Sequence, residues 1–170
     1  RIAIIGAGGI GGLYGARLVR AQAADVVFLA RGATLDALRC QGLEVRSPAE
    51  TFRVPVVAMD DAADVGPVDV VLHTTKMTSF RDALARLPFF GSDTLLVTTQ
   101  NGVEAPDLAA EVLGLDRVAP GIARVLSRIE APGVIDFFGG PGSLVFGSRD
   151  GTSDARLEAQ PVVTGSGNTT

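Results

Sequence analysis

Gly6, Gly8 and Gly11 stand at G-x-G-x-x-G spacing in the stretch IIGAGGIGG, residues 4–12. Such a turn, entered from an apolar strand and left through a helix, can receive a pyrophosphate. The glycines have separable tasks. Gly6 permits the tight turn, Gly8 lets the backbone approach the phosphates, and Gly11 lets helix and strand pack closely. Ala7, Gly9 and Ile10 complete the loop, whose free N–H groups and positive helix end suit an anion. Gly11, Gly12 and Gly15 fall inside the expected helix, where each costs roughly 1 kcal/mol relative to Ala. That is a large concession in a domain stable by about 5–15 kcal/mol, and ligand binding is taken as the reason for it.

Sites of this kind that take NAD place an Asp or Glu about 20 residues beyond the turn, on the ribose hydroxyls. No acid lies between Asp25 and Asp36, and Arg31, in FLARG, takes the place. A guanidinium there fits a 2′-phosphate bidentately, and Gly32 leaves room beside it. The expected cofactor is NADP(H). The plain alternative is a solvated surface arginine, in a chain with 14 of them.

Lys76 is the single lysine of the 170 residues. A composition that favours arginine would replace a lysine on an indifferent surface, whereas at a crowded site a planar guanidinium does not replace a compact ammonium. Lys76 follows one apolar run (68–74), and Asn101 follows another (94–99). In an open parallel sheet, loops at the carboxyl ends of strands gather around the ligand. Lys76 offers a cation for a carboxylate or ribose oxygen. Asn101 offers a donor and an acceptor on one amide.

The elements that must position these groups alternate between strand and helix patterns, which is α/β organisation. Strands are expected over 2–5, 26–30, 43–47, 52–58, 68–74, 94–99, 118–127 and 133–138. Helices are expected over 9–22, 34–41, 79–87 and 105–113. Pro55 marks 52–58 as an edge strand, and GGPGS (139–143) reads as a tight turn into LVFG. The expected fold is a Rossmann-type, doubly wound, mainly parallel sheet with helices on both faces. It occupies residues 1–150, with 151–170 as a linker or tail.

Composition narrows the function. The hydrophobic fraction is 46%, and the net charge of −4 offers no basic surface for nucleic acid or an anionic membrane. Cys40 is the only cysteine, so no intrachain disulfide forms, and a cytoplasmic location is expected. Ile2 to Ala16 carry no charge and superficially resemble a signal peptide, but six of these residues are glycine and the run is too short for a membrane span. With no initiator Met, a trimmed start is expected. Asp60, Asp61 and Asp64 read as a solvated loop, since calcium-loop spacing is missing. No metal site is expected, and His73 reads as a packed strand residue.

Gly6–Gly11, LARG (29–32), TTKM (74–77), QNGVE (100–104) and PGVI (132–135), in this order, resemble the ketopantoate reductase (2-dehydropantoate 2-reductase) family over residues 1 to about 150. The resemblance implies NADPH-dependent reduction of a 2-keto acid on the way to pantothenate. It implies that Lys76 and Asn101 lie at the nicotinamide end, with Asn101 also near substrate, and that the backbone of Ser127 touches the cofactor. The family's general-acid lysine lies in a second, helical domain, and no lysine follows Lys76. The helical domain is therefore expected to be absent from these 170 residues, with no catalytic residue in the span and Lys76 assisting at most. Asp136 stands where many members have histidine. Two rivals remain: another NADP-dependent hydroxyacid or opine-type dehydrogenase, and a non-catalytic NADP-sensing module. Oligomeric state is not legible.

Overall fold

The structure is a computed structural model that describes residues 1–87, 91 and 93–148. The chain runs β1 (Ile2–Ile5), α1 (Gly9–Arg20), β2 (Val26–Leu29), α2 (Gly32–Gln41), β3 (Leu43–Arg46), β4 (Thr51–Val54) and β5 (Val57–Met59). After a 3-10 turn at Ala62–Asp64 come β6 (Val70–His73), α3 (Met77–Leu84), β7 (Leu95–Thr98), α4 (Glu104–Leu113), β8 (Val118–Ala131) and β9 (Val134–Phe146). The strands form one sheet in the order β4-β3-β9-β8-β7-β6-β1-β2-β5. Only the β3–β4 and β8–β9 pairs are antiparallel.

Buried strands have two apolar faces, and here each face receives helices. Ile2, Ile4, Val26 and Phe28 pack toward Leu13, Tyr14 and Leu18 of α1 and Leu35 and Leu38 of α2. Ala3, Ile5, Val27, Val71 and Leu96 pack toward Phe80 and Leu84 of α3 and Ala105 and Ala109 of α4. The doubly wound Rossmann-type expectation is met. The tail expected over 151–170 lies outside the described residues, whereas the helix expected over 79–87 runs from Met77 to Leu84 and gives way to a turn at 85–86. The charge-free stretch that resembled a signal peptide is β1 and α1.

Two expectations are corrected. The strand expected over 52–58 is two strands, broken at Pro55. β4 pairs antiparallel with β3, whereas β5 pairs parallel with β2 at the opposite end of the strand order. Proline cannot donate to a ladder, so the chain leaves one edge there and joins the other. The stretch GGPGS is not the hairpin turn, because the β8–β9 turn is at Pro132 and Gly133 and β9 runs on to Phe146. Between the Arg124↔Ser143 and Leu126↔Gly139 pairs, residues 140–142 stand opposite Val125 alone. The glycines take up a bulge, with Gly140 at φ +84° and Gly142 at φ +67°.

With β4 and β5 at opposite ends of the order yet two residues apart, the sheet curls around α1. The helix contacts β1, β2, β3, β4, β8 and β9. Its glycines face these strands. A Cβ on Gly15 would lie 2.5 Å from Ile4 Cδ1 and 2.7 Å from Phe28 Cε1, and one on Gly12 would lie 2.7 Å from Ile135 Cγ1. Gly12 and Gly15 are thus explained by packing, and the ligand-based reason for them is replaced. The outer face of the β8–β9 ribbon leaves Ile122, Leu126, Phe138 and Val145 exposed. No helix among the described residues is long and apolar enough to cross a membrane.

Overpacking a rigid contact costs about 1–3 kcal/mol or more. Gly15→Ala is expected to lower unfolding free energy by at least about 2 kcal/mol. Gly8→Ala, whose Cβ would meet nothing within 4 Å, is expected to cost less than about 1 kcal/mol. Urea unfolding followed by circular dichroism checks both, and equal losses would contradict the wrapped-helix account.

Candidate functional site

At the carboxyl ends of β1 and β2 lies a cleft of about 830 Å³. Gly6, Ala7 and Gly8 line it, as do Arg31 and Thr34 at the start of α2 and Thr75 after β6. Gly6 turns the chain at φ +96°, a conformation that glycine adopts without strain. Thr74 fastens this turn, its hydroxyl lying 2.6 Å from the Gly6 carbonyl oxygen and 3.0 Å from that of Ile5. A Cβ on Gly11 would meet that same Gly6 oxygen and lie 2.9 Å from Ile4 Cγ2. The helix can therefore start directly behind the turn only with glycine here. Gly8 is bare of neighbours where it faces the cleft. That open backbone, at the N-terminus of a 12-residue helix, fits a pyrophosphate-bearing cofactor.

Arg31 is exposed at the N-cap of α2, on the cleft wall next to the glycine turn. The end of the neighbouring strand β5 adds two acids that were expected in a solvated loop. Asp60 and Asp61 line the cleft, but both are engaged. Asp60 pairs with Arg39 at 3.0 Å, and Asp61 accepts from the Ala63 N–H at 2.9 Å. Among the described residues, no three His, Cys, Asp or Glu side chains gather to hold a metal ion.

The other expected residues sit at the margin. Gly9 and Ile10 form the first turn of α1, half-buried. A Cβ on Gly9 would lie 2.7 Å from the Ser127 carbonyl oxygen, so β8 brings Ser127 against the N-terminal end of α1. The buried Ser127 hydroxyl has no hydrogen-bond partner. Lys76 is the exposed N-cap of α3, and Asn101 is exposed after β7. Neither lines the cleft itself, although Thr75, the neighbour of Lys76, does. Asp136 is the cross-strand partner of Arg128, at 2.9 Å.

Between the Lys76 and Asn101 loops sits Gln100, which sequence reasoning passed over. Its side-chain Nε2 donates to the carbonyl oxygens of His73 (3.0 Å) and Thr75 (2.8 Å) and lies 3.3 Å from His73 Nδ1. Its Oε1 accepts from the Thr99 N–H at 3.1 Å. His73 is fully buried, with its ring 4.5 Å from that of Phe80. Burial lowers its pKa to about 4. The expectation of a packed strand histidine holds.

The family profile described as ketopantoate reductase PanE/ApbA matches residues 2–151. A 2-dehydropantoate 2-reductase from Mesorhizobium japonicum is 39% identical over 104 residues, covering 61% of this chain and 32% of that protein. The crystal structure of 2-dehydropantoate 2-reductase from Porphyromonas gingivalis aligns over 92% of this chain and 57% of its own, with a TM-score of 0.85 and 33% identity. D-mandelate dehydrogenase, solved with NADH and anilino(oxo)acetate, aligns over 93% of this chain and 50% of its own with a TM-score of 0.80. At 20% identity that likeness concerns the fold alone. The chain spans between 32% and 52% of the length of the curated relatives it matches.

The buried His73 has a consequence for stability. Unfolding returns its pKa from about 4 to 6.5, so between these values the unfolded chain binds the extra proton. Stability from this group is full above pH 6.5 and falls as the pH drops toward 4, by roughly 3 kcal/mol in total. Urea unfolding at pH 7.0 and 4.5 should show the loss, and His73→Leu should flatten the profile across that window.

Proposed function

This chain belongs to the ketopantoate reductase PanE/ApbA family, and on that premise we propose that it is the NADPH-binding part of an oxidoreductase that reduces a 2-keto acid. The first candidate substrate is 2-dehydropantoate, from the names of its relatives. The observation that carries the reading is the single cleft in which the glycine turn, Arg31 and Thr75 meet. NADPH, when bound, supplies the hydride. The chain's own residues bind and orient. Backbone N–H groups of Ala7 to Ile10 and the positive end of α1 receive the phosphates. Arg31 takes the 2′-phosphate, and without an acid at this place nothing favours a bare ribose.

Lys76 and Asn101, with the Ser127 backbone, serve the nicotinamide end, and Asn101 also reaches substrate. A general acid is assigned to none of these residues. It belongs to a second, helical domain of the whole enzyme, and the apolar side chains exposed on the β8–β9 ribbon support a surface that works against another body. A cytoplasmic setting accords with the lone, exposed Cys40.

Arg31→Ala is expected to remove most of a preference for NADPH over NADH. One charge-assisted contact is worth about 1.5–3 kcal/mol, roughly ten- to a hundredfold. Fluorescence titration of both cofactors checks this, and equal affinities in the wild type would overturn the assignment of NADPH.

These 170 residues are expected to show essentially no turnover of 2-dehydropantoate. Losing a positioned general acid costs about a hundred- to ten-thousandfold, and a cleft open to water costs more. NADPH oxidation followed by absorbance checks it. About one turnover per second, ordinary for an enzyme, would place the acid within this chain.

A further inference from the structure

The hydrogen bonds of Gln100 join the ends of two strands, β6 and β7, whose loops carry the exposed residues of the site. Lys76 and Asn101 sit on separate loops, one after β6 and one after β7, and neither loop is held by a helix cap. The Lys76 side chain makes no cap hydrogen bond, and Asn101 is exposed. Between them, one half-buried amide donates to the carbonyl oxygens of His73 and Thr75 and accepts from the Thr99 N–H. The Thr99 hydroxyl adds a second tie, donating to the same His73 oxygen at 3.0 Å.

The amide has only one workable orientation. Turned over, its oxygen would face two carbonyl oxygens and its NH₂ would face an N–H, so the contacts to the His73 and Thr75 carbonyls and to the Thr99 N–H would all become repulsive. The ring of His73 closes the back of this arrangement, with Nδ1 3.3 Å from the Gln100 amide nitrogen. As an uncharged ring, His73 can present a lone pair there. Phe80 covers the ring from α3, the helix whose N-cap is Lys76. Gln100 is therefore bonded on one side to the residue before Lys76 and is itself the residue before Asn101.

We propose that Gln100 is a positioning residue that clamps the Thr75–Lys76 turn to the Asn101 loop, so that Lys76 and Asn101 are already placed relative to each other before a ligand arrives. It touches neither ligand nor reacting atoms. The inference rests on the reading that Lys76 and Asn101 serve the nicotinamide end of NADPH, and it adds what holds them there.

The test separates that end from the adenine end. NADPH and 2′,5′-ADP, which lacks the nicotinamide half, are titrated against the wild type, Gln100→Leu and Gln100→Met, with thermal unfolding as the check on folding. NADPH affinity is expected to fall roughly tenfold in both variants, while that for 2′,5′-ADP changes less than about twofold. The loss is also expected to vanish in a Lys76→Ala/Asn101→Ala background, because Gln100 acts through those residues. Equal losses for both ligands, or an undiminished loss in the double-alanine background, would make Gln100 a support of the fold alone and overturn the proposal. So would unchanged affinity for NADPH. Either variant suffices if the other does not fold. A wild type that binds neither probe would remove the NADPH reading and the clamp together, whereas a wild type that binds both, with the variants unchanged, would remove only the clamp.

Discussion

The closeness of α1 to the strands around it is the constraint on which the rest of this structure depends. Gly11 brings the helix against the carbonyl of Gly6 and the side chain of Ile4. Gly15 brings it onto Phe28 and Ile4, and Gly12 onto Ile135 of β9. A methyl at any of the three would enter occupied space. The helix cannot back away either, because β3, β4, β8 and β9 enclose it from the far side. Side chains near the other end secure the same contact. The Tyr14 hydroxyl donates to the Ser143 carbonyl at 2.8 Å, and Arg17 donates to that of Gly142 at 3.0 Å with its guanidinium over the Phe137 ring. Burial pushes the Tyr14 phenol up to about 12, so it remains a neutral donor in any ordinary buffer.

A helix held on all sides has a fixed first turn. Its N-cap, Gly8, therefore lines the cleft without a ligand to order it, which lowers the entropic cost of binding. The curl of the sheet matters for the same reason. A flat parallel sheet would end at β7 and its neighbours, leaving the cleft with one wall. The 14-residue β8 instead pairs with β7 through its start and turns away along β9. That path carries Ser127 to the end of α1 and Ile129 to the cleft lining.

Much of this arrangement was legible in the sequence, because it depends on local rules. Apolar runs gave the core strands, and helical spacing gave α1 and α4, the latter ending at Leu113 as expected. The glycine turn and the place of Arg31 were legible because strand, turn and helix follow one another directly in the chain. The failures share a cause, which is that they depend on partners distant in the chain. Nothing near Gly12 announces Ile135. The bulge at residues 140–142 is a property of a cross-strand register, and the split at Pro55 reflects two sheet edges that only the closed fold brings together. Gln100 was overlooked because an amide beside Asn101 has no distinctive spacing. Its hydrogen bonds run to His73 and Thr75, at the end of another strand. Asp136 gained meaning in the same way, as the rung partner of Arg128.

Charge must act locally in this protein. The chain carries −4 overall, so the summed field opposes the approach of an anionic ligand. Screening at physiological salt confines such fields to about 8 Å, so the cleft's own groups decide. Three carboxylates, Asp60, Asp61 and Asp82, line it with Arg31 and Arg86. Arg39 occupies Asp60, and the Ala63 N–H occupies Asp61. Arg31, exposed at the start of α2, faces the cleft beside the positive end of that helix. The exposed Arg39–Asp60 pair contributes little to stability. Its effect is on the sign of the cleft: it ties up Asp60 and so favours the guanidinium groups of Arg31 and Arg86 as the charges that an anion entering the cleft would meet.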